Sequence, residues 1–241
     1  MPGKESIMES HVKKRFLVAA VLFVLFIAFT CLVMLTDVQA VGPQGTEVGF
    51  ASVNAAVFEA LGTNAFLKKA TDLLGLVSIG VGFVFAFCAL VQLIKRKSMK
   101  KIDAEFYVLG VYYLLLGVLY VGFEKLALNF RPVLEDGELA ASFPSSHTLL
   151  IVAVMGSAVL MAERYLKGTK WFLPAVAVAG ALAVFAIGGR LFSGVHWYTD
   201  IMGGVMLALA LIAALDGVFA LIKEKRDLKR AYEAAERASL R

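Results

Sequence analysis

Six apolar runs, each long enough to cross a hydrocarbon layer, constrain this chain more than any other feature. They cover about residues 16–36, 74–94, 104–123, 145–162, 171–187 and 199–222. A helix of about 20 apolar residues spans a core roughly 30 Å thick. Within lipid, only helices and closed barrels satisfy their own backbone hydrogen bonds. A soluble multi-domain fold would have to expose these runs to water. The excess also shows in bulk, since 60% of the 241 residues are hydrophobic, whereas a soluble domain is about half apolar. The expected fold is therefore all-α: a polytopic membrane protein with six transmembrane helices. It forms one integral membrane domain over 1–241 and ends in a basic tail at 223–241.

The first run follows His11, Lys13, Lys14 and Arg15, and Val38-Gln39-Ala40 after it faintly resembles a signal-peptide cleavage site. Its 21 residues exceed the roughly 7–15 of a signal peptide's apolar region, so an uncleaved first span is expected. Residues 38–73 have two readings. Val53, Val57 and Leu61, then Phe66, Ala70 and Leu73, recur at helical spacing, which fits two short amphipathic helices at the membrane surface. A long loop with partial helix fits equally. Cys31 and Cys88 lie inside apolar runs and read as packing residues.

Six spans place both termini on one side. Of the 24 Lys and Arg, 19 fall on that side or in links that return to it, and five fall opposite: Lys68, Lys69, Lys125, Arg131 and Arg190. Cytoplasmic loops carry the excess of Lys and Arg, so both termini are expected in the cytoplasm. The net charge of +5 then speaks to topology and anionic lipid, and no nucleic-acid partner is expected. The basic tail is expected to rest on lipid headgroups.

Three of those five outer cations belong to a second pattern. Lys125-x5-Arg131-Pro132 closes the third span, Pro144-Ser145-Ser146-His147 opens the fourth, and Arg190-x5-His196-x3-Asp200 joins the fifth to the sixth. The topology, set without these motifs, brings all three pieces to one outer face. Ser145 is a natural N-cap, and free N–H groups at a helix start hold anions. Arginine suits bidentate contact with phosphate oxygens. His196 and Asp200 are four apart, so on a helix they share a face. A carboxylate on one imidazole nitrogen frees the other for attack or proton transfer. Singly, each feature also has a plain structural reading: a snorkelling cation, a capped helix, a helix pair. As a set, they fit binding and transfer of a tetrahedral anion. There is no carboxylate or Cys/His cluster at metal spacing, so cations and N–H groups are expected to stabilise charge, with no metal and no cofactor.

These motifs resemble the type 2 phosphatidic acid phosphatase (PAP2) superfamily, which includes glucose-6-phosphatase and vanadium haloperoxidases. Its pattern is Lys-x6-Arg-Pro, Pro-Ser-Gly-His and Ser-Arg-x5-His-x3-Asp. The resemblance covers roughly residues 100–222 and departs in three places. Lys125 is one residue out of register, with Glu124 in the usual lysine slot; Ser146 replaces a glycine and Gly189 a serine. The resemblance implies a PAP2-type helical bundle with His196 as nucleophile, forming a phosphohistidine. It implies Asp200 orienting His196, and His147 as general acid. Arg131, Arg190, Lys125, Ser145 and Ser146 would hold the phosphate.

The implied function is a metal-independent lipid phosphate or diphosphate phosphatase at the extracytoplasmic face. Undecaprenyl diphosphate is the first expected substrate, then phosphatidic acid or phosphatidylglycerophosphate. The rival readings are a lipid phosphotransferase and a non-catalytic lipid-phosphate binder or transporter. Asp216 is expected at a helix-end or interhelical contact, about 24 Å along the helix from Asp200. Trp171, Trp197 and Tyr198 read as interfacial anchors, with the last two as alternative lining of the pocket mouth.

Overall fold

The computed structural model describes residues 2–239, with side chains over 11–238. Seven α-helices follow in order: α1 (Pro2–Leu35), α2 (Ala51–Leu61), α3 (Ala65–Arg96), α4 (Ala104–Leu126), α5 (Ser146–Tyr165), α6 (Phe172–Ser193) and α7 (Tyr198–Ser239). All but α2 contain a stretch long and apolar enough to cross a membrane, which gives six candidate spans. The chain is an all-helical, multi-pass membrane protein.

Helix α5 forms the centre. Leu149, Ile151, Val152, Ala153, Val154 and Met155 are all buried, as expected of a helix that is apolar on every side. The helices around it turn apolar side chains outward. Val24 on α1, Phe83 on α3, Val118 on α4 and Val184 on α6 are each more than half exposed. In water such a surface would be unstable; against lipid tails it is the matching solvent.

The helix bounds differ from the sequence reading in ways that matter for the site. The second amphipathic segment is not a separate surface helix. It forms the first turns of α3, because Asn64 caps that helix by accepting the Leu67 N–H at 3.1 Å. Lys68 and Asp72 are thereby mounted on a membrane-spanning helix. Of the glycines around Arg190, Gly188 and Gly189 stay helical, and the turn falls at Gly194, a left-handed C-cap with φ +67°. Gly189 serves instead as a close approach, since a Cβ there would lie 2.6 Å from the Thr71 Cγ2. Helix α7 continues unbroken into the basic tail; residues 240–241 lie outside the described part.

Helix α2 also has a structural task. Buried Asn54 donates to the Thr199 Oγ1 at 2.9 Å and accepts the Thr199 N–H at 3.2 Å, clamping the start of α7. At the other end of the bundle, fully buried Glu105 accepts from Arg164 at 2.8 Å and from Arg226 at 2.9 Å, tying α4, α5 and α7 together. Asp216 pairs with Arg15 and so links α7 to α1.

Candidate active site

The ends of five helices meet at one end of the bundle: the starts of α3, α5 and α7 and the ends of α4 and α6. The segment between α4 and α5 folds across them as a narrow ribbon. Phe130 pairs with Ala141, the Arg131 N–H donates to the Ala140 carbonyl at 3.0 Å, and the Ser142 N–H to the Asn129 carbonyl at 3.0 Å. This pairing sets Asn129, Arg131 and Ser142 side by side over the start of α7.

Asp200 is fully buried and accepts three hydrogen bonds. It accepts the Trp197 N–H at 2.8 Å, the Asn129 amide at 3.0 Å and the Ser142 hydroxyl. His196 does not lie on α7 with Asp200, as its spacing had predicted. It sits in the turn before the helix, and its Nδ1 is 3.8 Å from the Asp200 carboxylate. Ser142 fills that gap, with its Oγ 3.0 Å from the His196 Nδ1. A hydroxyl has one proton. The Ser142 proton goes to Asp200, so Ser142 accepts from the imidazole. This fixes the proton on Nδ1 and leaves the lone pair on Nε2, which is buried without a hydrogen-bond partner in the structure. Burial first, then the nearby Arg131 and Arg190 charges, hold the His196 pKa well below its ordinary 6.5, so the ring is neutral.

Arg190 is fully buried in the last turn of α6. One terminal nitrogen donates to Asp72 at 2.7 Å and to Thr71 at 3.1 Å. Its Nε and other terminal nitrogen are buried and unpaired. Arg131 donates to the Ala141 carbonyl at 3.1 Å and to Glu135 at 2.5 Å. His147, in the first turn of α5, has its Nε2 3.5 Å from Asp72 and is within electrostatic range of His196, Arg131 and Arg190. Ser145 is the N-cap of α5, accepting the Thr148 N–H at 3.4 Å.

The structure thus brings His196, Asp200, His147, Arg131, Arg190 and Ser145 together. Ser146 also lies here, but its hydroxyl donates to Glu124 at 2.9 Å. Lys125 is exposed near the end of α4. The lysine in the ion network is Lys68, 2.9 Å from Asp72 and 3.3 Å from Glu135. Trp197 is not an interfacial anchor. It is 3% exposed, and its indole donates to the Phe130 carbonyl at 2.7 Å, because the ribbon covers it. Trp171 and Tyr198 remain exposed.

Sequence reasoning did not reach Ser142, Asn129, Asp72, Lys68 or Glu135. For Ser142 and Asn129 no signal precedes the ribbon fold. For Lys68 and Asp72 a signal existed: their i,i+4 spacing continues the period of the following span.

An apolar cavity of about 650 Å³ opens beside this cluster. It runs between α3, α4 and α5, with Asp72 and His147 at its polar end and Ile79, Phe83, Leu116 and Val154 further along. His196 does not line it.

A helical membrane bundle with histidines, arginines and a helix N-terminus gathered at one end defines the class. Residues 129–219 match the PAP2 superfamily. Among particular proteins, it is 30% identical over 121 residues to phosphatidylglycerophosphatase B of Bacillus subtilis (strain 168), covering 50% of this chain and 59% of that protein. The chain thus spans about three-fifths of the length of the curated relative it matches. Its fold is similar to the crystal structure of a transmembrane PAP2-type phosphatidylglycerolphosphate phosphatase from Bacillus subtilis. The TM-score is 0.56 at 21% identity, over 83% of this chain and 94% of the other. That likeness establishes the fold.

Proposed function

We propose that the chain is a lipid phosphate phosphatase working through a phosphohistidine on His196. One observation carries this reading. The His196 Nε2 is buried, neutral and unpaired, while its other nitrogen is held through Ser142 to Asp200. That is an activated nucleophile held by a base and an orienting group. The two unpaired nitrogens of Arg190, with Arg131, Lys68 and the N-terminal amides of α5, supply charge where a phosphoryl group gains it. Lys68 rather than Lys125 completes the cation set.

The cavity supplies the direction. Its apolar walls suit a lipid tail, so the ester oxygen that leaves lies on the His147 side. The His196 Nε2 attacks phosphorus and the bond to the lipid oxygen breaks. His147 gives that oxygen a proton, and the lipid alcohol departs. His147, now neutral, takes a proton from water; the water oxygen attacks phosphorus, the P–N bond breaks, and inorganic phosphate leaves.

Phosphatidylglycerophosphate is the first substrate proposed, because the curated relative's name is phosphatidylglycerophosphatase B. Undecaprenyl diphosphate and phosphatidic acid are the next arms of the panel. The Lys and Arg distribution supports termini in the cytoplasm and a site at the extracytoplasmic face.

The test is phosphate release from these lipids in detergent by the wild-type protein and by His196→Ala, with and without a chelator. Release by the wild type, unchanged by the chelator and lost in His196→Ala, is expected. Equal release by both proteins would overturn the mechanism, as would transfer to an acceptor other than water or lipid binding without release.

A further inference from the structure

Asp72 belongs to none of the three motifs, yet it stands at the meeting point of the site and the cavity. Its carboxylate contacts Arg190 at 2.7 Å, Lys68 at 2.9 Å and the His147 Nε2 at 3.5 Å. It also lines the polar end of the cavity together with His147.

His147 has an unfavourable place for its task. A general acid must carry a proton before the reaction. The first turn of a helix carries positive partial charge and disfavours an imidazolium. Arg190 and Arg131 add full positive charges nearby. A carboxylate beside the ring offsets these in part. Two others stand near the site without pairing with the imidazole: Glu124 meets the Ser146 hydroxyl, and Glu135 meets Arg131 and Lys68. Asp72 is the one paired with the imidazole.

We infer that Asp72 is the positioning residue of the leaving-group step: paired with the His147 Nε2, it favours the protonated imidazole that delivers a proton to the departing lipid oxygen. The inference rests on the reading of His147 as general acid. It has a consequence that a purely structural Asp72 lacks. An alkoxide leaving group needs the proton, whereas an aryl oxide such as 4-nitrophenolate leaves without it. Loss of Asp72 must therefore fall unequally on the two.

The experiment compares kcat on dioleoyl phosphatidate and on 4-nitrophenyl phosphate in the same detergent, for wild type, Asp72→Asn, Asp72→Glu, His147→Gln and the double variant. Both activities fall in Asp72→Asn, since Arg190 also loses a partner. The lipid activity is expected to fall at least about tenfold further than the aryl activity, a part of the 10²–10⁴ that general acids contribute. Asp72→Glu is expected to restore most of the ratio. In the His147→Gln background, Asp72→Asn is expected to lower the ratio no further, because the two residues act as one unit. Equal losses on the two substrates would overturn the inference while leaving the phosphatase reading intact. So would a further drop of the ratio in the double variant. A wild type that releases phosphate from neither substrate would overturn both.

Discussion

At the scale of single residues, one proton sets the chemistry of the site. A serine hydroxyl between His196 and Asp200 decides which imidazole nitrogen is free. Sequence spacing identified both end members but placed them on one helix face, in direct contact. The chain instead turns at Gly194, which sets His196 before the helix begins and leaves a gap of 3.8 Å that Ser142 bridges. No local pattern announces Ser142, since it reaches the site only through the ribbon pairing of Ser142 with Asn129. The state of the ring follows. Burial, with Arg131 and Arg190, depresses the His196 pKa well below 6.5. As pH falls, the imidazole therefore stays neutral through 6.5 and takes its second proton only further down. Nitrogen-15 spectra of histidine-labelled protein, with His196→Gln for assignment, are expected to show the Nδ1–H tautomer still neutral at pH 6.5. The chain has only three histidines, so assignment is direct. A ring protonated on Nε2, or half-protonated at or above pH 6.5, would contradict the relay.

At the scale of elements, the early start of α3 matters most. The apolar run from 74 onward was legible because hydrophobic length alone marks a span. The turns before it were not, because Lys68, Lys69 and Asp72 break the apolar run without breaking the helix. A local cap by the Asn64 side chain starts those turns, and tertiary contacts hold them in the bundle: the Asn64 N–H donates to the Ser193 carbonyl at 3.1 Å, and Thr71 packs close to Gly189 on α6. The result exchanges one lysine for another. Lys125, one residue out of register in the motif, is exposed, and Glu124 in the lysine slot binds Ser146. Lys68 stands among the site's charges instead. Lys68→Ala is accordingly expected to lower kcat/KM on a lipid phosphate by about tenfold, the size of one charge-assisted hydrogen bond, and Lys125→Ala by less than about twofold. Steady-state kinetics of the two variants decides between them; a larger loss at Lys125 would return that residue to the phosphate site.

At the scale of the whole molecule, charge and apolar surface divide the bundle. One end carries the candidate site. The other is locked by Glu105 with Arg164 and Arg226 and by Arg15 with Asp216. Between them lies an apolar cavity that meets the site at Asp72 and His147, away from His196. The number of spans and the gathering of the motifs at one end were readable from run lengths and their order. The cavity was not, since it depends on how α3, α4 and α5 splay. In the proposed mechanism the nucleophile and the lipid tail lie on different sides of the phosphorus, and that mechanism stands or falls with a covalent bond to one nitrogen. The direct measurement is a rapid acid-free quench of the protein with lipid carrying ³²P in its terminal phosphate, followed by peptide mapping. The expected result is an acid-labile, base-stable label on His196, absent from His196→Ala. Steady phosphate release with no label on His196, or a label on another residue, would contradict the account.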